Sequence, residues 1–370
     1  MAAASIVASS FSSACSSLLT ISSSSSSFAT TAQSLSPSAL KFIALRKGVL
    51  LKHKTLLSYS SDSRHKGREA LKHNSCVCQA AGMAVEAETL NKDFGLKGLR
   101  IETGKGGLPK VVLSSELGSS AEIYLYGACV TSWKSMDGKD LLFVRPDAVF
   151  NGIKPISGGI PHCFPQFGPG EIQQHGFARN VTWNLLSTEN QAGSPSVTLD
   201  IEESEYSQSM WGHAFKATYK VALEAERLRT ELIIKNTDTR PFFFTTALHT
   251  YFSASIGGVS VKGLKGCRTL NKDPDPKNPI PGVEERDSVT FPAFVDCMYL
   301  NSPEELLLEN GLGDRISIKN KGWTDAVLWN PYLTMEASYN DFVCVENAKL
   351  DKVHLQPGES WEAKQVISVV

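Results

Sequence analysis

From about Leu96 to Val370 the chain is a succession of short apolar runs cut by Gly, Asn, Asp and Pro. Residues 121–126, 196–201, 215–223 and 228–235 largely alternate apolar with polar side chains. A period of two sends successive side chains to opposite faces, so these runs predict half-buried strands. Runs at 111–113, 141–144, 316–318, 326–329, 342–346 and 361–370 extend the pattern. Many short strands separated by turn residues predict an all-β sandwich or barrel, and all-β folds of this size often remain one domain. The most helix-like segment is 302–309, Ser-Pro-Glu-Glu-Leu-Leu-Leu-Glu. Residues 320–324 read as a turn, and 271–290 as a surface excursion rich in Pro and Asp.

Residues 155–180 break the alternation. Pro155, Pro161, Pro165 and Pro169 remove backbone donors, and Gly158, Gly159, Gly168 and Gly170 permit backbone angles other residues resist. The stretch is too rich in Ile and Phe for a solvated linker. An ordered irregular loop of this length inside a compact domain is usually functional. It closes on Gln174, His175 and Arg179, polar groups suited to a hydroxylated or anionic ligand.

Charge divides the chain. The totals are nearly balanced, 37 Lys and Arg against 38 Asp and Glu. The first 79 residues nevertheless hold nine basic residues against only Asp62 and Glu69, together with a run from Ser22 to Ser27. A Ser-rich, basic, acid-poor N-terminus fits an organelle transit peptide, with a retained disordered tail as the other reading. The start Met-Ala-Ala-Ala-Ser and the sequence Val77-Cys78-Gln79-Ala80 resemble a chloroplast presequence and its processing site. The expected division is therefore a transit peptide over 1–78, a flexible segment over 79–95 and a single β-sandwich domain over 96–370, located in the stroma. No run approaches the roughly 20 apolar residues of a membrane span. The acidic remainder argues against nucleic acid. The eight cysteines form neither a disulfide framework nor a zinc pattern.

Three stretches carry candidate chemistry. His249 lies in the apolar segment 242–252, where it is either a hydrogen-bonded core residue or an acid titrating near neutrality. Glu346 follows four residues suited to a buried strand and shares its face with Phe342 and Cys344. A buried carboxylate needs a partner, catalytic or structural. Asp325 opens a predicted strand, where the residue type favours a turn or cap role, and the strand ends on Trp329, which either stacks on a sugar or fills the core. Cys163 beside His162 and His175 raises a thiol nucleophile, and Asp325 with Glu346 raises a glycosidase pair. His175 and His249 with Glu346 lack recognisable metal-ligand spacing.

Taken in order, Lys154-Pro-Ile-Ser-Gly-Gly-Ile-Pro, Gln174-His-Gly-Phe-Ala-Arg-Asn, Ala247-Leu-His-Thr-Tyr-Phe, Asp325-Ala-Val-Leu-Trp-Asn-Pro, Phe342-Val-Cys-Val-Glu-Asn-Ala and Leu355-Gln-Pro-Gly-Glu resemble the glucose-6-phosphate 1-epimerases of the aldose 1-epimerase superfamily. The resemblance covers roughly 94–370. It implies a large β-sandwich of the galactose mutarotase type and an interconversion of α- and β-anomers needing no cofactor and no metal. It implies His249 as general acid and Glu346 as general base, with Gln174, Arg179, His175 and Asp325 in the substrate pocket. Ser157 stands at a substrate-binding position where the family has Arg, and Asn271 where it has a substrate-contacting Asp. Cys297 replaces an Arg in the family's Val-Asp-Arg-x-Tyr. The expected partner is a small sugar or sugar phosphate bound by a monomer. The alternative is a catalytically weak sugar-phosphate-binding or structural plastid protein on the same fold.

Overall fold

The structure, a computed structural model, describes residues 86–370. The expected transit peptide lies outside the described residues. Part of the segment expected to be flexible is helical, over residues 86–94. Ala87, Leu90, Asn91 and Phe94 recur at i, i+3, i+4 and i+7, which gives the helix one inward face. Ala87 is buried, Leu90 and Phe94 pack on the core, and Asn91 Oδ1 accepts from the Ile101 amide at 2.8 Å.

The alternating runs form three sheets whose strands pair antiparallel, of four, eight and nine strands. The strands Phe215–Glu224 and Arg227–Asn236 show the alternation most cleanly, burying every second residue. Their inward side chains join a single large apolar cluster containing Trp133, Trp183, Tyr219, Phe244 and Ile367. The helix-like segment 302–309 is instead largely a strand, Glu305–Asn310. Leu306, Leu308 and Asn310 are buried while Glu305 is exposed, and the strand pairs along its length with Arg315–Lys321. Burial against a sheet outweighs the helix propensity of Leu and Glu.

The eight-stranded sheet positions the site. Its backbone order is Ile280–Val283, Arg268–Asn271, Val295–Leu300, Asp325–Asn330, Phe342–Leu355, Phe242–Leu248 and His162–Cys163, with Tyr251–Ser253 also on Phe342–Leu355. One face of Phe342–Leu355 sends Val343 and Val345 into the main core. Beside them Asn347 continues a buried hydrogen-bonded chain that runs from Asn320 through Asn347 and Gln365 to Thr230. The other face carries two small apolar clusters, one around Phe342 and Cys344 and one around Ala348 and Val327. Glu346 falls between them, the one carboxylate in an otherwise apolar row from Phe342 to Ala348.

Candidate active site

On that face lies a cavity of about 340 Å³, within the range of small-molecule sites. Glu346 and His249 sit at its base, 2% and 9% exposed. His249 Nε2 is 3.4 Å from Glu346 Oε1. The imidazole follows the last residue of the strand Phe242–Leu248, and the irregular stretch 155–180 fixes its backbone. The His249 amide donates to Pro161 O at 2.9 Å, and the Tyr251 amide to Gly159 O at 2.8 Å. Gly159 holds φ at +68°, and a Cβ there would lie 2.0 Å from Val130 O, so no other residue fits. The Tyr251 ring stacks on His249, with centroids 4.9 Å apart, and Trp329 meets the imidazole edge-on at 5.8 Å.

The polar end of 155–180 reaches the same cavity. His175 adopts φ of +65° and is buried. Its Nδ1 accepts from the Gly168 amide at 3.2 Å and lies 3.2 Å from Cys163 Sγ. That leaves Nε2 to carry the proton, and Gln174 Nε2 lies 3.4 Å from it, so the two groups meet as donor and acceptor only with the Gln174 amide turned to present Oε1. Arg179 Nη2 donates to Gln174 O at 2.9 Å, while its Nε is buried without a protein partner. Ser157 lines the cavity as well. The Cys163 thiol is buried and pushed well above its usual range, so it stays protonated and serves as a donor to His175 rather than a nucleophile.

Two expected site residues lie elsewhere. Asn271 is exposed and lines a separate cavity with Thr269, Cys297 and Tyr299. Strand alternation explains this: position 271 points away from the face that bears Glu346, and position 272 points toward it. Lys272 is therefore the cavity residue, its Nζ 3.0 Å from Asp296 Oδ2. Asp325 is absent from the lining. Its Oδ1 accepts from the Asn301 amide, and its Oδ2 from the Leu350 amide and the Thr324 hydroxyl. Those bonds tie Asp325 into the sheet rather than to a ligand, which also removes the glycosidase pair. Arg145 and Asp296 were not among the residues expected from sequence to bind substrate, yet both line the cavity with Lys272. Alternation within the run before Arg145 and around residues 268–272 and 295–299 was the available signal. Without knowing which face held the site it could not choose between odd and even positions.

Burial drives the electrostatics. It pushes the Glu346 carboxyl well above its usual range, and nearby Asp296 adds to the rise while Lys272 and Arg179 oppose it. Burial lowers His249 to about 3, helped by Arg179. It lowers His175 to about 2, with the His249 ring next in effect. Burial thus favours the neutral pair, a protonated Glu346 beside an unprotonated His249, over the carboxylate–imidazolium ion pair. Glu346 Oε2 and His249 Nδ1 are buried with no protein partner. Among the described residues no group of three or more His, Cys, Asp or Glu is placed to hold a metal ion, and no helix is long and apolar enough to cross a membrane.

A β-sandwich that presents a buried carboxylate–imidazole pair, three cationic side chains and an aromatic wall in one cavity is an acid–base site for a small polar ligand. The family model for aldose 1-epimerase matches residues 109–368, and the chain belongs to that family. It is 37% identical over 284 residues to a Cenchrus ciliaris protein named "putative glucose-6-phosphate 1-epimerase", covering 71% of this chain and 85% of the relative. An Escherichia coli K12 protein of the same name is 33% identical over 245 residues, covering 62% and 79%. Among solved structures, a mutarotase from Salmonella typhimurium, itself titled putative, superposes with a TM-score of 0.67 at 27% identity, covering 74% of this chain and 94% of the other. A galactose mutarotase-like protein from Clostridium acetobutylicum shares the fold with a TM-score of 0.62 at 14% identity, covering 74% and 98%.

Proposed function

We propose that the protein is a hexose-6-phosphate 1-epimerase, acting on glucose 6-phosphate, in which Glu346 and His249 exchange protons with the anomeric hydroxyl and the ring oxygen. One observation carries the reading: a carboxyl group and an imidazole lie 3.4 Å apart at the base of a cavity walled by cations. Anomer exchange needs one group to accept the proton of the C1 hydroxyl and another to protonate the ring oxygen as the C1–O bond opens. The C1–C2 bond then rotates, and the ring closes on the other face with the proton movements reversed. A pair holding one proton and one acceptor lone pair supplies both functions in either direction. The pair is closer in the structure than a sugar between them would hold it. Binding exchanges that contact for one from each group to the sugar, whose hydroxyls also reach the unpartnered Glu346 Oε2 and His249 Nδ1.

The other cavity residues orient the sugar. His175 Nε2 and Gln174 are donors for hydroxyls, and the Trp329 and Tyr251 rings form an apolar wall of the kind that sugar C–H faces pack on. The relatives' names support the phosphorylated hexose, and the cations Arg145, Arg179 and Lys272 suit its charge.

Exchange spectroscopy by NMR on the full-length protein with glucose 6-phosphate tests the reading. Wild-type protein should accelerate anomer exchange, and Glu346→Gln and His249→Asn should each lose most of that acceleration. Equal rates for all three would sink the reading and favour a binding protein on the same fold. The basic, acid-poor N-terminus supports a plastid address. A fluorescent fusion of residues 1–78 that stays in the cytosol would overturn that part alone.

A further inference from the structure

We propose that Arg145 is the specificity-determining residue for phosphorylated substrate, taking the 6-phosphate at the end of the cavity away from the reacting pair. This rests on the hexose-phosphate reading above and adds which side chain selects the phosphate. Residues 143–145 and 157–159 form a short antiparallel ladder. The Arg145 amide donates to Ser157 O at 3.0 Å, the Gly159 amide donates to Phe143 O at 2.8 Å, and Val144 bridges Gly158. That pattern sets Arg145 directly opposite Ser157, so their side chains leave the same face a few ångströms apart. Both line the cavity. Contact across the ladder is close enough that a Cβ on Gly158 would lie 2.4 Å from Val144 Cα, which fixes where the Arg145 side chain starts.

The three cavity cations are not equivalent. Pro161 O holds the His249 amide and Gly159 O the Tyr251 amide, so Ser157 and the facing Arg145 lie further along the same stretch, away from His249. Lys272 is committed to Asp296 at 3.0 Å, and Arg179 to Gln174 O at 2.9 Å. The charges of Arg179 and Arg145 both act on Tyr251, and that of Arg145 also reaches Cys344, one full strand repeat from Glu346. The Arg145 guanidinium is aligned by Asp147, through Nε at 2.9 Å and Nη2 at 2.5 Å. That carboxylate is 67% exposed, and an ion pair so open to water contributes little. Two of the five guanidinium donors are used, leaving a fork for phosphate oxygens. On a hexose 6-phosphate, C1 and the ring oxygen occupy one edge while the phosphate hangs from C5 through C6. Anchoring the phosphate at Arg145 leaves that edge to Glu346 and His249, and the Ser157 hydroxyl adds a neutral donor beside it.

The test measures kcat/KM for anomer exchange of glucose 6-phosphate and of glucose on full-length wild type, Arg145→Met and the double variant Arg145→Ser/Ser157→Arg. Wild type should prefer the phosphorylated sugar, and Arg145→Met should cut that preference about 10- to 100-fold, as expected for losing charge-assisted bonds. The double variant returns a guanidinium to the same face across the ladder and should recover part of the preference. An unchanged preference in Arg145→Met, or an equal loss on both sugars, overturns the role of Arg145 and leaves the hexose-phosphate reading standing. Equal use of both sugars by wild type removes the reading and the inference together.

Discussion

The His249 imidazole and the Glu346 carboxylate meet at 3.4 Å, and each keeps its second polar atom buried without a protein partner. Such a pair works as a unit. Removing either partner strands the other without a proton donor or acceptor of matching affinity. Glu346→Gln and His249→Asn should each lower kcat about 10²- to 10⁴-fold. The double variant should lose little more than the worse single variant, because groups acting together are non-additive. Full additivity in the NMR exchange rates would show two independent roles.

Lys272 and Asp296 tune the pair from one side. Asp296 raises the Glu346 carboxyl, and Lys272 lowers it. Asp296→Asn removes the raising charge and frees the Lys272 cation, and both changes favour the carboxylate. The limb of the pH–rate profile set by Glu346 should therefore move to lower pH. Lys272→Met removes a lowering charge and should move the same limb to higher pH. Shifts of the same sign in both variants would contradict the geometry.

Asp325 should behave as a structural residue. It accepts two backbone amides and a hydroxyl, and it does not line the cavity. Asp325→Ala leaves those amides unpaired and should cost about 2–4 kcal/mol of stability in urea unfolding. Its exchange rate per folded molecule should change far less than that of Glu346→Gln. The reverse result, full stability with lost exchange, would return Asp325 to the substrate pocket.

How legible the site was follows from these residues. Glu346 was readable because a carboxylate stood in an alternating apolar strand, where only a partner justifies it. His249 was readable only as one of two options, because an apolar segment surrounds core and catalytic histidines alike. The resemblance implied pocket roles for Asn271 and Asp325, and the structure sets both outside the lining for different reasons. The motif around Asn271 marks the right strand, but the period of two delivers Lys272 to the cavity instead. Asp325 has the burial of a functional carboxylate, yet its lone pairs are spent on amides brought from residues 301 and 350 by pairing that no local pattern encodes. Segment 302–309 looks helix-like in isolation because its partner strand Arg315–Lys321, which decides between helix and sheet, lies further along the chain.

His162 offers a prediction independent of the active site. Burial lowers it to about 3, beside Trp183 and Tyr219, and His249 and His175 are lowered as well. A histidine whose pKa is depressed on folding stays neutral in the folded state while the unfolded chain takes up a proton below about pH 6.5. Stability is therefore lost as pH falls from there toward 3, by about 1.4 kcal/mol per pH unit for each such group once the unfolded histidine is fully protonated. Glu346 acts in the opposite sense above the ordinary carboxylate range, because its raised pKa holds a proton that the unfolded chain releases. His162→Phe keeps an aromatic ring in the same packing and subtracts one histidine from the acid slope. Urea unfolding at pH 7.5, 6.5 and 5.5 should show the variant losing less stability than wild type, by about 1 kcal/mol over the lower interval. Identical slopes would mean that His162 takes up its proton without unfolding, and that the core around Trp183 admits the charge.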